Sequence, residues 1–424
     1  MRVPGDKSVS HRTLILGALA PGESLVEGLL ESADVHSTRS CLTRLGARIE
    51  RLGQGKYRVN GFESGPEEPR EVLDCGNSGT TVRLLMGLVA AHPISCVFAG
   101  DASLSERPME RVVRPLSEAG ATFLGRAGST RLPLAVRGGN LRPLDHRTPV
   151  ASAQVKSCLL LAALNSTGTW RVTEPAATRD HTERMLEGAG VVLWRDGSTV
   201  ELTGPQRPRP LSVTVVGDIS SAAFFIAAGL LAADDGLALQ GVSLNPSRTG
   251  FLDAVKAMGG SLEIVEGEPV SGEPQGRLVV RRSQLTGTTI GGSLVPRLID
   301  EIPILAVLAA TARGRTVIRD AAELRAKECD RIKATVEALD LLGAKVQEQA
   351  DGLIIDGVTE LVGAEVASRD DHRIAMSMAI AGLAARGTTT IARTGCVDIS
   401  YPSFWTDLAR VAPDALHRDE DSLA

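Results

Sequence analysis

The chain has 424 residues, of which 43% are hydrophobic and 23% charged, a composition typical of a folded protein with two or three domains. The formal net charge of −5 gives no general affinity for nucleic acid, so any anion site depends on local clusters of basic residues. The six cysteines lack the spacing of zinc or dithiol motifs, and no apolar run approaches the roughly 18 residues of a membrane span. We therefore expect a cytoplasmic protein with reduced thiols.

Six runs of small and apolar residues recur along the chain. Each run is apolar almost all round, which predicts a helix buried inside a layer. The runs cover residues 13–20, 80–91, 155–164, 222–233, 302–312 and 374–385.

Longer amphipathic stretches alternate with these runs, and most end at a glycine. Glycine directly after a helix commonly adopts the left-handed cap conformation. Short β-branched segments follow, so the repeating unit contains strands and two helices over about 70 residues, more than a solenoid repeat of about 20 to 50. We expect six units in two sets of three. The capping glycines are Gly46, Gly120, Gly190, Gly259 and Gly343, whereas the sixth stretch, residues 403–412, runs into Pro413.

Polar residues stand at the beginning of every apolar run. Helix N-termini attract anions through unpaired N–H groups and the helix dipole, but serine, asparagine and aspartate there are first of all helix caps. Capping does not explain basic residues, which the dipole disfavours. Lys7, Arg12 and Arg373 are therefore candidate ligands of a polyanion.

The segment Lys-Glu-Cys-Asp-Arg at residues 327–331 is predicted to open another amphipathic helix. Lys327 and Arg331 would then share one face and repel each other by a few tenths of a kcal/mol. Either Glu328 and Asp330 neutralise a solvated turn, or a bound phosphate or carboxylate removes the repulsion.

Nine short polar stretches follow one another along nearly the whole chain. They are residues 4–12 (PGDKSVSHR), 76–83 (GNSGTTVR), 100–109 (GDASLSERPM), 152–157 (SAQVKS), 179–183 (RDHTE), 217–223 (GDISSAA), 300–303 (DEIP), 324–331 (LRAKECDR) and 371–376 (DHRIAM). In this order they resemble the 5-enolpyruvylshikimate-3-phosphate synthase family of enolpyruvyl transferases. The resemblance implies an α/β fold: a two-domain inside-out barrel of six βαβαββ repeats with buried helices, three per domain. Domain I would comprise residues 1–6 plus 216–424, and domain II residues 7–215.

The resemblance also implies a reaction. The enolpyruvyl group of phosphoenolpyruvate would move to the 5-hydroxyl of shikimate-3-phosphate and release phosphate, a step of aromatic amino-acid biosynthesis. The methylene carbon of phosphoenolpyruvate must be protonated while the hydroxyl attacks C2, so the site needs proton donors, proton acceptors and fixed positive charge. The family implies no metal or cofactor, no nucleic-acid or membrane partner, and a monomer.

Residue by residue, the resemblance assigns catalysis to Asp300 as the base for the hydroxyl, Glu328 for proton transfer at the methylene carbon, and Lys7. Arg179 is a further candidate for the shikimate phosphate. The residues implied for shikimate-3-phosphate are Lys7, Ser8, Arg12, Ser152, Ala153, Gln154, Asp300 and Lys327, and those implied for phosphoenolpyruvate are Lys7, Gly79, Arg107, Gln154, Arg331 and Arg373.

Three alternatives remain open. The related transferase acting on UDP-N-acetylglucosamine usually has Lys-Asn where this chain has Lys7-Ser8, and a reactive cysteine where it has Ala102. A non-catalytic phosphoanion-binding protein of the same fold would have lost its acid–base residues, whereas Asp300 and Glu328 are present. RNA 3′-phosphate cyclisation on a related repeat fold would require a reactive histidine and a basic face.

Overall fold

The computed structural model describes residues 1–417, which contain fourteen α-helices, 23 β-strands and four 3₁₀ helices. The 3₁₀ helices are Gly292–Arg297, Ile299–Glu301, Ala322–Ala326 and Thr394–Ile399. The α-helices are α1 (Lys7–Leu19), α2 (Ala33–Arg44), α3 (Gly79–Ala90), α4 (Ala102–Glu106), α5 (Glu110–Ala119), α6 (Arg126–Ser129), α7 (Ala153–Ala163), α8 (His181–Gly188), α9 (Ile219–Ala232), α10 (Gly250–Ala257), α11 (Ile302–Thr311), α12 (Arg331–Leu341), α13 (His372–Ala384) and α14 (Phe404–Val411).

The strands are mostly short and alternate with the helices. They are β1 (Glu23–Glu27), β2 (Arg48–Gly53), β3 (Lys56–Asn60), β4 (Leu73–Asp74), β5 (Ser95–Ala99), β6 (Thr122–Gly125), β7 (Arg131–Arg137), β8 (Asp145–Arg147), β9 (Gly168–Thr173), β10 (Leu193–Asp196), β11 (Thr199–Gly204), β12 (Ser212–Thr214), β13 (Leu237–Ser243), β14 (Ser261–Val270), β15 (Glu273–Arg281), β16 (Thr289–Ile290), β17 (Arg315–Ile318), β18 (Lys345–Gln349), β19 (Gly352–Asp356), β20 (Leu361–Val362), β21 (Glu365–Ala367), β22 (Ala385–Arg386) and β23 (Thr390–Ala392).

The six apolar runs form six buried helices, as predicted: α1, α3, α7, α9, α11 and α13. In α9 every residue from Ile219 to Leu230 is buried. The amphipathic stretches form α2, α5, α8, α10 and α12, and the five glycines predicted to end them have φ between 79° and 120°. Both patterns were therefore correct, because burial and capping leave local signatures in the sequence.

Four sheets share one strand order. In the sheet β4-β5-β7-β6, β4 and β5 are parallel and β7 runs antiparallel between β5 and β6, which gives the unit β-α-β-α-β-β along the chain. The sheets β8-β9-β11-β10, β16-β17-β19-β18 and β12-β1-β3-β2 repeat this order, with β12 supplying the first strand of the first unit. The fourth unit has three strands, β13-β15-β14, and the sixth is reduced to the pairs β20-β22 and β21-β23.

The buried hydrophobic residues form two clusters. One contains residues between Val9 and Val215, and the other contains Val3 together with residues between Ile219 and Leu408. The two segments that join them run side by side, since Asp6 N donates to Val216 O (2.8 Å) and Asp218 N donates to Pro4 O (2.9 Å). None of the helices in residues 1–417 is long and apolar enough to cross a membrane.

The prediction of a helix opening at Lys327 is wrong. Lys327 follows a 3₁₀ helix, and α12 begins only at Arg331. The side chain of Asp330 accepts a hydrogen bond from Lys333 N (3.1 Å), so it caps the helix and fixes its first residue. Lys327 and Arg331 are therefore not on one helical face, and the repulsion argued from that spacing does not apply.

Candidate active site

A cavity of about 400 Å³ lies between the two hydrophobic clusters, within the size range of small-molecule sites. Nine basic and six acidic residues line it, so it carries an excess of positive charge although the chain is acidic overall. The charged lining residues are Lys7, Asp34, Arg83, Arg107, Arg111, Arg179, Asp218, Arg248, Asp300, Asp320, Glu323, Lys327, Glu328, Arg331 and Arg373.

The structure brings twelve of the thirteen predicted site residues together around this cavity. In one cluster they come from the starts of buried helices and, for Arg107, from the end of α4; in the other they come from the 3₁₀ segments, the loop after them and helix starts. The twelve are Lys7, Ser8, Gly79, Arg107, Ser152, Ala153, Gln154, Asp300, Lys327, Glu328, Arg331 and Arg373.

Arg12 is the predicted residue that does not line the cavity. Its guanidinium is buried: Nε donates to Thr182 Oγ1 (2.6 Å) and Nη2 donates to Ser157 Oγ (2.8 Å). Burial lowers the pKa of Arg12 to about 10, which still leaves it protonated at neutral pH. Nη1 donates to Ser8 O (3.0 Å), so the Arg12 side chain stabilises the first turn of α1.

Helix starts form one wall of the cavity. Ser78 caps α3 by accepting from Thr81 N (3.1 Å), so Gly79 is the first helical residue. A Cβ atom at Gly79 would lie 2.8 Å from Arg83 Nη1. Glycine therefore keeps the space in front of this helix open for a ligand.

Arg83 is a lining residue that the sequence reasoning did not select. Its Nη1 donates to Gln154 Oε1 (2.7 Å), while Gln154 Nε2 donates to Thr80 Oγ1 (3.0 Å). Burial, assisted by the neighbouring Arg107, lowers the pKa of Arg83 to about 10. Its position one helical turn after Gly79 in α3, beside a predicted anion site, was the available signal.

Asp300 is surrounded by cations. Its Oδ1 accepts from Lys327 Nζ (3.2 Å) and Arg331 Nη1 (3.2 Å), and its Oδ2 accepts from Arg179. Burial on its own would raise the pKa of Asp300, but the surrounding cations, Lys327 first, hold it well below the usual aspartate value. Asp300 is therefore ionised at neutral pH and can accept a proton or a hydrogen bond.

Glu328 is held in the same way. Its Oε2 accepts from Arg331 Nη2 (2.6 Å), and its Oε1 lies 3.4 Å from Arg107 Nη1. Burial would raise the pKa of Glu328, but Arg331 and Arg107 lower it well below the usual glutamate value. Lys7, which the sequence reasoning grouped with Glu328, donates from Nζ to Asp34 Oδ2 (3.1 Å). Asp34 itself was not predicted.

Arg331 connects these groups, since its guanidinium contacts Asp300, Glu328 and Asp371. Buried nitrogen atoms without a protein partner in the described chain include Nε of Arg107 and Nε of Arg373. Buried donors are normally hydrogen-bonded, so these atoms suit a bound anion. Within residues 1–417, no group of three or more His, Cys, Asp and Glu residues is arranged to hold a metal ion.

Proteins of known identity are similar to this chain both in sequence and in fold. The model of the family described as EPSP synthase (3-phosphoshikimate 1-carboxyvinyltransferase) matches residues 1–408. The chain belongs to the EPSP synthase family. A 3-phosphoshikimate 1-carboxyvinyltransferase of Gloeobacter violaceus is 53% identical over 411 residues, covering 96% of this chain and 95% of that protein. One of Brevibacillus brevis is 49% identical over 412 residues and 97% of each chain.

A solved EPSP synthase agrees in three dimensions. The structure of EPSP synthase from Acinetobacter baumannii superimposes with a TM-score of 0.86 at 40% identity, covering 97% of this chain and 95% of that one. The α/β fold expected from the sequence resemblance is therefore confirmed, and so is the family.

Proposed function

We propose that this member of the EPSP synthase family transfers the carboxyvinyl group of phosphoenolpyruvate to the 5-hydroxyl of shikimate-3-phosphate and releases phosphate, as a step of the shikimate pathway. The observation that carries the proposal is the cavity in which ionised Asp300 and Glu328 lie among arginine and lysine side chains. The two substrates together carry two phosphates and two carboxylates, which require a cationic site. The proton transfers require carboxylates of the protein, such as Asp300 and Glu328.

The cations bind and orient the two anionic substrates. Lys7, Arg107 and Arg373 hold phosphoenolpyruvate, and the start of α7, with Ser152 and Gln154, holds shikimate-3-phosphate. In the empty site these cations pair with protein carboxylates, as in the contact between Arg107 and Glu328. Bound phosphate takes over part of this pairing, and fixed positive charge then stabilises the charge that develops on the leaving phosphate.

The carboxylates handle the protons. Asp300, which is ionised, takes the proton of the attacking hydroxyl. Glu328 is also ionised in the empty site, so the ammonium of Lys7 is the ready donor to the methylene carbon in the addition step. Glu328 then removes a proton from the resulting methyl group as phosphate leaves, which restores the double bond. Asp300 and Glu328 together gain two protons and Lys7 loses one. The leaving phosphate takes up the remaining proton, so the reaction as a whole leaves the number of protons on the protein unchanged.

Two finer expectations belong to the same proposal. We expect two domains, residues 1–6 plus 216–424 and residues 7–215, supported by the two hydrophobic clusters; residues 418–424 of the first lie outside the described part of the chain. We also expect a cytoplasmic monomer. The six cysteines are free, which agrees with a reducing compartment.

The test is phosphate release from phosphoenolpyruvate, without added metal, with either shikimate-3-phosphate or UDP-N-acetylglucosamine as acceptor. We expect release with shikimate-3-phosphate alone, and a loss of about 10²- to 10⁴-fold in kcat for Asp300→Asn and for Glu328→Gln. Asp356→Asn, which removes an exposed carboxylate on β19, is the matched control and should behave as wild type. Release with the nucleotide sugar, or tight binding without turnover, would establish one of the alternatives instead.

A further inference from the structure

A buried ion cluster lies behind the cavity wall. Lys156 Nζ is 2.8 Å from Glu174 Oε2 and 2.8 Å from Glu183 Oε1, and all three side chains are almost fully buried. Burial lowers the pKa of Lys156, but the two carboxylates more than reverse the effect. One ammonium between two carboxylates leaves a surplus negative charge, which is costly away from water unless other donors satisfy it. The cluster is therefore unlike a simple structural ion pair.

The additional donors come from the cavity wall. Glu174 Oε1 accepts from the backbone N–H of Ser152 (3.0 Å), and the hydroxyl of Thr178 lies 2.8 Å from each carboxylate oxygen of Glu174. Ser152 and Thr178 both line the cavity, whereas Glu174 does not. One carboxylate thus joins two chain segments, each of which contributes to the site.

The segment that contains Thr178 has little other support. Residues 175–179 lie between β9 and α8, and in the described chain they form no hydrogen bond from backbone to backbone. Arg179, next to Thr178, contacts Asp300 from the opposite cluster. Ser152, on the other segment, is the cap of α7, and its backbone oxygen also accepts from Lys156 N (3.1 Å). Glu174 therefore ties residues 175–179 to the start of α7.

We propose that Glu174 is a positioning residue for shikimate-3-phosphate, with Lys156 holding its carboxylate in place. It acts through Ser152 and Thr178 and arranges the start of α7 and Arg179 before the substrate binds. The inference rests on the proposed function. Both carboxylate oxygens carry the effect, since Oε1 accepts from Ser152 N and Oε2 accepts from Lys156 Nζ. A glutamine at 174 has a single acceptor oxygen, so its NH₂ group would face either the Lys156 ammonium or the Ser152 N–H.

Three substitutions separate these contributions. Glu174→Ala removes the acceptors, Glu174→Asp keeps the charge but shortens the reach, and Glu174→Gln keeps the reach but removes the charge. Asp407→Asn is the control, since Asp407 is another buried carboxylate, in α14, that accepts from Tyr401 and Ser403. For each variant, the two KM values, kcat, the unfolding temperature and the calorimetric Kd of shikimate-3-phosphate are measured.

We expect Glu174→Ala and Glu174→Asp to raise the KM and Kd of shikimate-3-phosphate about tenfold, and the KM of phosphoenolpyruvate by less than about threefold. Glu174→Gln should also raise the KM and Kd of shikimate-3-phosphate, because its NH₂ group cannot accept from Lys156, whereas Asp407→Asn should stay within about threefold of wild type in all of these values.

Glu174 variants whose KM and Kd for shikimate-3-phosphate match those of wild type, or equal changes in both KM values, would overturn the inference. Should the alanine variant fail to fold, Glu174→Asp, which keeps the charge but not the reach, decides in the same way. A wild-type protein that neither binds nor consumes shikimate-3-phosphate would overturn the proposed function together with this inference, whereas an active wild type with unchanged Glu174 variants overturns this inference alone.

Discussion

At the residue scale, cations that contact several carboxyl groups at once determine the ionisation of those groups. Arg331 is almost fully buried and contacts three carboxylates, Asp300, Glu328 and Asp371. Burial would lower the pKa of Arg331, but these carboxylates raise it above its usual value. The same contacts lower the pKa of Asp300 and of Glu328. Both carboxyl groups are therefore ionised in the empty site at neutral pH, a state that can be tested.

The ionisation of Glu328 predicts a pH dependence of stability. A carboxyl group whose pKa is lower in the folded than in the unfolded state stabilises the fold fully above the unfolded value, about 4.3 for glutamate. This stabilisation is lost as the pH falls through the lower, folded value. The difference in unfolding temperature between wild type and Glu328→Gln should therefore stay constant from about pH 8 to about pH 5 and shrink only below about pH 4.3.

Thermal unfolding monitored by circular dichroism across this pH series provides the measurement. Glu360→Gln, which removes an exposed glutamate, should match wild type at every pH. A difference that already shrinks between about pH 7 and pH 5 would mean that Glu328 carries a proton in the empty site.

Gly79 provides a second prediction at this scale. A methyl group there would lie 2.8 Å from Arg83 Nη1 and 3.4 Å from Arg107 Nη1, so it would intrude between two arginines that line the cavity, one of which, Arg107, is proposed to hold phosphoenolpyruvate. We expect Gly79→Ala to raise the KM of phosphoenolpyruvate about tenfold with a smaller effect on the KM of shikimate-3-phosphate. Gly53→Ala, where no atom lies within 4 Å of the added methyl group, should leave both KM values unchanged. The prediction would be contradicted if Gly79→Ala and Gly53→Ala changed the KM of phosphoenolpyruvate by the same factor.

At the element scale, small residues let the buried helices approach each other closely. Gly87 in α3 faces α7 so closely that a Cβ atom would lie 2.1 Å from the backbone oxygen of Cys158. The starts of these two helices present Gly79 and Ser152 to the cavity. Their packing distance therefore also fixes the spacing of two parts of the site.

We expect Gly87→Ala to lower the free energy of unfolding by about 1 to 3 kcal/mol, because the backbones must separate. Gly188→Ala, at the end of α8 with no atom within 4 Å of the added methyl group, should be neutral or stabilise the protein by up to about 1 kcal/mol, as alanine favours helix. Denaturant unfolding of the two variants gives the comparison. A Gly87→Ala variant as stable as wild type would show that α3 and α7 can move apart without cost.

At the scale of the whole molecule, charge is distributed unevenly. The net charge is −5, yet basic residues outnumber acidic residues around the cavity. A cationic cleft attracts anionic substrates over distances that salt limits, since the screening length is about 30 Å at 10 mM and about 8 Å at 150 mM salt.

Substrate capture should therefore depend on ionic strength. We expect kcat/KM for shikimate-3-phosphate to fall severalfold between about 10 mM and 150 mM NaCl while kcat changes little. Arg111→Gln, which removes a half-exposed lining cation, should weaken this dependence. Arg282→Gln, which removes an exposed arginine paired with Asp234, should not. A kcat/KM that is independent of salt would exclude electrostatic attraction as a contributor.

Local sequence patterns were enough to predict the buried helices and the helix ends, and motif resemblance was enough to select residues that meet at one cavity. Apolar runs and capping glycines identified the buried helices, because each pattern reflects contacts within one element or its burial. Motif resemblance identified twelve residues that line one cavity. Arg12 does not line the cavity, because its partners Ser157 and Thr182 lie far along the chain and hold its guanidinium, and the resemblance did not weigh Asp330 as the cap of α12.

Which charges meet follows from tertiary packing. Arg179 contacts Asp300 and Arg107 approaches Glu328, although each pair is separated by more than a hundred residues of sequence. Glu174 accepts from Ser152, 22 residues before it, and from the nearby Thr178, a link that no local pattern predicts. Periodicity and capping act over a few residues, whereas the ionisation of a buried carboxylate depends on every charge within several ångströms, and those neighbours exist only after the two hydrophobic clusters have packed around the cavity.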